Sequence, residues 1–111
     1  MKILFDQGTP VPLRPYLVGH LVRTAAQQGW DRLKNGTLLA TAETAGFDQL
    51  LTTDKNMVYQ QNLSQRQISI VLLGQQQWKN LRPYVALVVD AINAATPGSY
   101  TEVEIPFSSS R

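Results

Sequence analysis

The chain contains no cysteine among its 111 residues. A disulfide framework and a thiolate zinc site are therefore both excluded, and stability has to come from packing. Histidine occurs once, at His20, which leaves no imidazole partner for a zinc site and points to a structural role. No serine stands in a nucleophile-elbow pattern, so a triad around His20 has no support. No apolar run approaches the roughly 20 residues of a membrane-spanning helix. The stretch Met1 to Asp6 starts like a secretory leader but meets an acid and then Pro10 before an apolar region of the needed length forms. A reducing cytoplasm is the expected location, with no membrane partner. Charge of one sign is not concentrated either: the 10 basic residues are scattered from Lys2 to Arg111, for a net charge of +2 and a pI near 9.2. That balance permits a nucleic-acid partner without demanding one.

What is present describes a folded domain. A hydrophobic fraction of 43% against 16% charged residues supplies a core. The length suits one domain, expected over residues 1–106, with a flexible tail at 107–111. Lys2 to Phe5 reads as a buried strand that stops at Asp6. Pro10, Pro12 and Pro15 confine Val11 to Leu17 to a short irregular helix. His20 to Thr24 reads as a second strand, and Ala25 to Asn35 is ambiguous. Gly36 to Ala45 repeats Leu38, Leu39, Ala42 and Ala45 at helical spacing, with Asn35 placed to cap its start and Gly46 its end. Phe47 to Thr53 is a third strand, stopping at Asp54. Ile68 to Leu73 is continuously apolar, as a strand covered on both faces requires. Gln75 to Gln77 falls in a loop. Leu81, Val85, Val88, Val89, Ile92 and Ala95 mark the longest helix, ended by Pro97 and Gly98. Tyr100 to Ile105 alternates like a half-exposed edge strand. Strands alternating with helices imply a three-layer α/β/α sandwich around a mostly parallel sheet, with room for one antiparallel edge.

In such a sheet ligands gather beyond the carboxyl ends of the strands. Asp6 and Asp54 each follow a strand directly, so both point out of one edge if those strands are parallel neighbours. Glu43 lies four residues after Leu39, about 40° round the helix, and is a candidate third member of the group. Carboxylates gathered this way repel each other, and a hard divalent cation such as magnesium or manganese is the natural compensation. Each acid also has a plainer use: Asp6 as a loop cap, Asp54 as the cap of a helix beginning near Asn56, Glu43 as a solvated helix residue. Lys55 stands where it could meet a phosphate, and Tyr59, Gln60, Gln61 and Asn62 could contact bases or ribose. Trp30 and Trp78 suit either the margin of the core or a protein interface.

Five stretches carry a family resemblance. Lys2-Ile3-Leu4-Phe5-Asp6 with Pro10, Gly19-His20-Leu21-Val22-Arg23-Thr24, Lys34-Asn35-Gly36-Thr37-Leu38-Leu39, Phe47 to Asn56, and Tyr59-Gln60-Gln61-Asn62-Leu63 resemble, in order, a family of bacterial PIN-like proteins of unassigned function. The resemblance covers roughly residues 1–105. It implies a compact α/β nuclease acting on RNA, commonly the toxin of a toxin–antitoxin pair, and thus an antitoxin protein as partner; a homodimer is compatible with it. It further implies that Asp6 and Asp54, with Glu43, hold magnesium or manganese and carry catalysis, and that no organic cofactor is used. Lys55, Asn56, Tyr59 and Gln60 are the accompanying candidates for substrate contact. Two positions depart from the family pattern. Related sequences often carry a second acid where Asn56 stands, and an asparagine is often found in the stretch occupied here by Gln7-Gly8-Thr9. The departures point to an alternative: a catalytically impaired module that binds RNA or a protein. A phosphoacceptor domain of response-regulator type also places acids at strand ends, but the missing acidic pair near the first strand and the lack of a late lysine count against it.

Overall fold

The structure is a computed structural model that describes residues 1–59 and 66–105, with only the backbone described at Val58 and Tyr59. The tail expected at 107–111 and the candidates Gln60, Gln61 and Asn62 lie outside the described residues. Strand β1 spans Lys2–Phe5, as its sequence predicts. The loop that follows turns at Gly8, whose φ of 89° lies in the left-handed region open to glycine. Val11–Tyr16 is a 3₁₀ helix rather than an α-helix, because Pro12 and Pro15 lack the N–H groups an α ladder needs. Strand β2 is Leu21–Thr24.

Helix α1 spans Asn35–Thr44. It begins one residue before the expected start, and Asn35 is its first helical residue rather than its cap; no side chain caps this end. Its other end closes as expected at Gly46. Gly46 N–H donates to Glu43 O at 3.1 Å and Phe47 N–H to Ala42 O at 3.0 Å, the paired bonds of a Schellman motif that consume carbonyls a helix end leaves without partners. Lys2 Nζ adds a bond to Ala45 O at 3.0 Å and lies 4.5 Å from the centre of the Phe47 ring.

Strand β3 is Gln49–Thr52, followed by the short helix α2, Asn56–Tyr59. Strand β4, Ser69–Leu73, is buried at every position. The last apolar stripe is broken into α3 at Trp78–Leu81, a 3₁₀ turn at Arg82–Tyr84 around Pro83, and α4 at Val85–Ala94. The single long helix expected there is therefore corrected to α4, which is no longer than α1. Strand β5 is Tyr100–Val103.

The five strands form one sheet in the order β2-β1-β3-β4-β5, and every pairing is parallel. The antiparallel edge allowed by the sequence does not occur. Alternate residues of β1 enter different clusters: Ile3 and Phe5 pack with Leu13, Val88 and Ile92, whereas Leu4 packs with Leu38, Leu39, Ala42 and Met57. Trp78 and Trp30 pack partly buried against these two clusters respectively. Burial in the two clusters, at about 25 cal/mol per Å² of apolar surface, is the main force holding the strands together. Among the described residues no helix is long and apolar enough to cross a membrane.

Candidate functional site

The chain leaves β1 for β2 on one side and returns to β3 on the other, so the order of strands reverses between β1 and β3. At such a point the loops diverge and leave a crevice beyond the carboxyl ends. Phe5 stands opposite Leu51 in the register, and Asp6 N–H donates to Leu51 O at 2.9 Å. Asp6 therefore leaves β1 at the level where β3 ends. Asp54 follows β3 at the same edge, as expected.

The hydroxyl of Thr52, fully buried, links the two acids. It donates to Asp6 Oδ2 at 2.8 Å and accepts the Asp54 N–H at 3.0 Å. Asp6 Oδ1 accepts the Gln7 N–H at 2.8 Å. Asp54 Oδ1 accepts the Asn56 N–H at 2.9 Å, and Asp54 Oδ2 accepts a bond from Asn35 Nδ2 at 3.2 Å. Asp54 thus caps α2, the plainer role foreseen for it, while remaining at the edge with Asp6. Each carboxylate offers about four lone-pair positions and spends two on the bonds just described, so both retain capacity for a cation. Burial pushes the Asp6 carboxyl above its ordinary value; the Thr52 and Gln7 bonds pull it back, and the charge of Asp54 raises it further. Two partly desolvated carboxylates whose charges disfavour each other are an oxygen set that suits a hard cation.

Glu43 is not part of this group. It lies near the other end of α1, where Oε1 accepts Arg66 Nη1 at 2.9 Å and Oε2 accepts the Gln67 N–H at 2.6 Å and the Ile68 N–H at 3.3 Å. These partners lead into β4 at its amino end, the opposite rim from Asp6. Helix α1 runs antiparallel to the strands and carries its last turn away from the acids. The Gln67 N–H, with Arg66 and Ile68, holds the Glu43 carboxyl below its ordinary value. Glu43→Gln should cost about 1 kcal/mol, or about 4 °C in Tm, by weakening these bonds. That contribution is complete above the unfolded carboxyl's value and is lost as pH falls through the lower folded one, so the variant's deficit should vanish in acid. Thermal melts from pH 7 to pH 3 measure it.

Among the described residues, no group of three or more histidine, cysteine, aspartate or glutamate side chains comes together. The polar residues completing the edge are Thr52 and Asn35, neither singled out by sequence. Thr52 carried a signal, as a hydroxyl ending a strand of leucines; Asn35 looked like a cap. Lys55 is exposed and, with Thr53, Gly74 and Gln76, lines a cavity of about 190 Å³ on the β4 side of the acids. Asn56 is exposed, and its backbone is what meets Asp54. His20 lies at the other rim, accepting the Met1 ammonium at Nδ1 (3.1 Å), which leaves its Nε2–H to donate to Asn93 Oδ1 (2.8 Å). That is a structural role. Comparison with known proteins adds no neighbour: no family model, curated protein or solved structure matches the chain.

Proposed function

We propose that this chain is a PIN-like, metal-dependent ribonuclease of the cytoplasm, built as a three-layer α/β/α sandwich and serving as the toxin of a toxin–antitoxin pair. The observation that carries the reading is the meeting of Asp6 and Asp54 at the strand-order reversal, joined through Thr52. Two carboxylates fit magnesium, which commonly takes one or two from the protein and fills its remaining positions with water and substrate phosphate; manganese uses the same oxygen donors. When bound, the ion supplies Lewis acidity toward water and offsets charge developing on phosphate oxygens. The protein's own part is to aim both carboxylates. Thr52 fixes Asp6, and Asn35 with the Asn56 N–H fixes Asp54. RNA cleavage followed across a manganese titration tests the reading, and equal cleavage by Asp6→Asn and the parent chain would remove the site.

A second reading, a non-catalytic PIN-like module that binds RNA or a protein partner, is favoured by the engagement of Glu43 at the far rim and by neutral Asn35 and Asn56 beside Asp54. Manganese-dependent turnover that disappears in Asp54→Asn would exclude it. The strand order is shared with response-regulator domains, but a single acid ends β1 here, and Glu104 and Ile105 follow β5 where a lysine would be needed. Intact mass after incubation with a small phosphodonor decides that case.

A further inference from the structure

Helix α4 has a face that its own chain leaves uncovered. Val85–Ala94 holds a single charge, Asp90, and a helix apolar on nearly every side belongs inside a protein. Val88 and Ile92 do lie in the core. By helical spacing Ala86, Leu87, Asp90 and Ala94 fall on the opposite side, and all four are exposed, Leu87 by 49%. Tyr16, from the 3₁₀ helix whose Leu13 packs in the same cluster as Val88, adds a 47% exposed ring to this layer.

Two charges bracket the face. Arg82 is exposed in the turn that leads into α4, and Asp90 is exposed in its second half. Among the described residues the one ion pair is Glu43 with Arg66, so neither Arg82 nor Asp90 meets an opposite charge there. Their order along the helix is also the reverse of the one its dipole favours, since the amino end is the positive one. Ala86 stands midway between them in sequence. A second α4 laid antiparallel, with a two-fold axis at Ala86, would bring Arg82 of each copy to Asp90 of the other and set each charge beside the helix end that attracts it. The short side chain of Ala86 lets the two helices approach closely at the crossing. A pattern that complements itself on reversal is what a two-fold contact requires, and it singles out a second copy of this chain as the occupant.

We propose that α4 is the self-association surface of this protein: two copies pack α4 against α4, antiparallel about a two-fold axis at Ala86, with Leu87 flanking the axis and reciprocal Arg82–Asp90 pairs at the ends. Pairs at such a rim fix register more than affinity. Helix α4 follows the carboxyl end of β4 and runs to the amino rim, where Nε2 of Gln49, the first residue of β3, donates to Ile92 O at 3.2 Å. The two sheets therefore run in opposite directions in the pair, and the crevices holding Asp6 and Asp54 open at its opposite ends. The inference does not rest on the proposed function, and neither stands or falls with the other.

Sedimentation velocity with light scattering at about 100 µM, above the micromolar Kd expected of a small contact, is the test. The parent chain should run near 25 kDa, twice the 12.4 kDa of one chain. Ala86→Arg places a cation on the axis, where it meets itself, and should leave a monomer. Asp90→Arg and Arg82→Asp should each weaken the dimer about 10- to 100-fold, because the axis repeats each like-charge contact. Mixed in equal amounts, those two variants should form a heterodimer, since every charged contact between them is again opposite. All three positions are exposed, and circular dichroism with thermal melts verifies that the variants fold. A parent chain that stays monomeric would overturn the proposal and leave the face to a different protein. A dimer that survives Ala86→Arg would overturn it in favour of another surface of this chain, and variants that fail to associate on mixing would overturn the antiparallel pairing.

Discussion

Asp6→Asn should lower manganese-dependent RNA cleavage by at least about 100-fold and, in metal-free buffer, make the protein slightly more stable. The loss follows from removing one of two anionic ligands, because the ion is worth several kcal/mol of transition-state stabilisation and each 1.36 kcal/mol is a factor of ten. The gain follows from the environment of the carboxyl. Burial first, and Asp54 as well, hold Asp6 above its ordinary value, so ionised Asp6 is disfavoured in the folded chain relative to the unfolded one. That penalty is complete at neutral pH and fades as pH falls through the raised folded value. Asparagine removes it while still accepting a hydrogen bond from Thr52 or Gln7. Discounted for the solvent that reaches a half-buried group, the gain is about 0.5 kcal/mol, or roughly 2 °C in Tm. Manganese reverses the order. At ten times its Kd it should stabilise the parent chain by about 1.4 kcal/mol, near 6 °C, and leave the variant unmoved. Melts with and without manganese between pH 4 and pH 7 measure all three effects. A parent chain indifferent to manganese would count against the ion as decisively as an active Asp6→Asn.

Asn35→Asp should do the reverse: about tenfold tighter manganese binding, with a metal-free protein about 1 kcal/mol less stable. The Asn35 amide donates to Asp54 Oδ2 at 3.2 Å. An acid in its place exchanges that donor for a second negative charge beside Asp54 and in the neighbourhood of Asp6. Without a cation the three repel, and at least one carboxyl should be driven well above its ordinary value. With a cation they form the three-acid cluster that the described residues otherwise lack. Calorimetric titration of manganese into both proteins gives the affinity ratio, and urea melts in chelator give the cost. Unchanged affinity would mean that the ion, if bound at all, sits elsewhere. Glu43→Asp, at the opposite rim, should leave the affinity as it is.

Strands β1, β3 and β4 are legible in the sequence because each is a short, largely apolar run closed by an acid or a glycine. Lys2 to Phe5 was right to the residue, and the others overran by one to three positions at ends where no side chain marks the last ladder bond. Their direction was less legible. The alternating pattern of Tyr100 to Ile105 reports only that one face is exposed, which holds equally for an antiparallel edge and for the parallel β5. The helix after Gly74 is shorter than its apolar stripe implies because Pro83 divides that stripe in two. At the site, Asp6 and Asp54 were legible because strand ends are. Glu43 was not, since periodicity gives an angle around α1 and says nothing about which end of the helix reaches the acids. Thr52 and Asn35 depend on contacts 46 and 19 residues apart in sequence, which no local pattern reports.

The position of β1 between β2 and β3 bears on how the chain is made. Strand β1 cannot complete its pairing until β3 has been made, since Phe5 needs both Thr24 and Leu51. At about 5–20 residues per second, the 46 residues from Phe5 to Leu51 take roughly 2–9 s to synthesise. For that interval a strand of isoleucine, leucine and phenylalanine waits with one edge open, exposed to mispairing and to chaperones. Slow codons placed between α1 and β3 would lengthen the wait and lower the soluble yield, whereas the same codons after β5 would not.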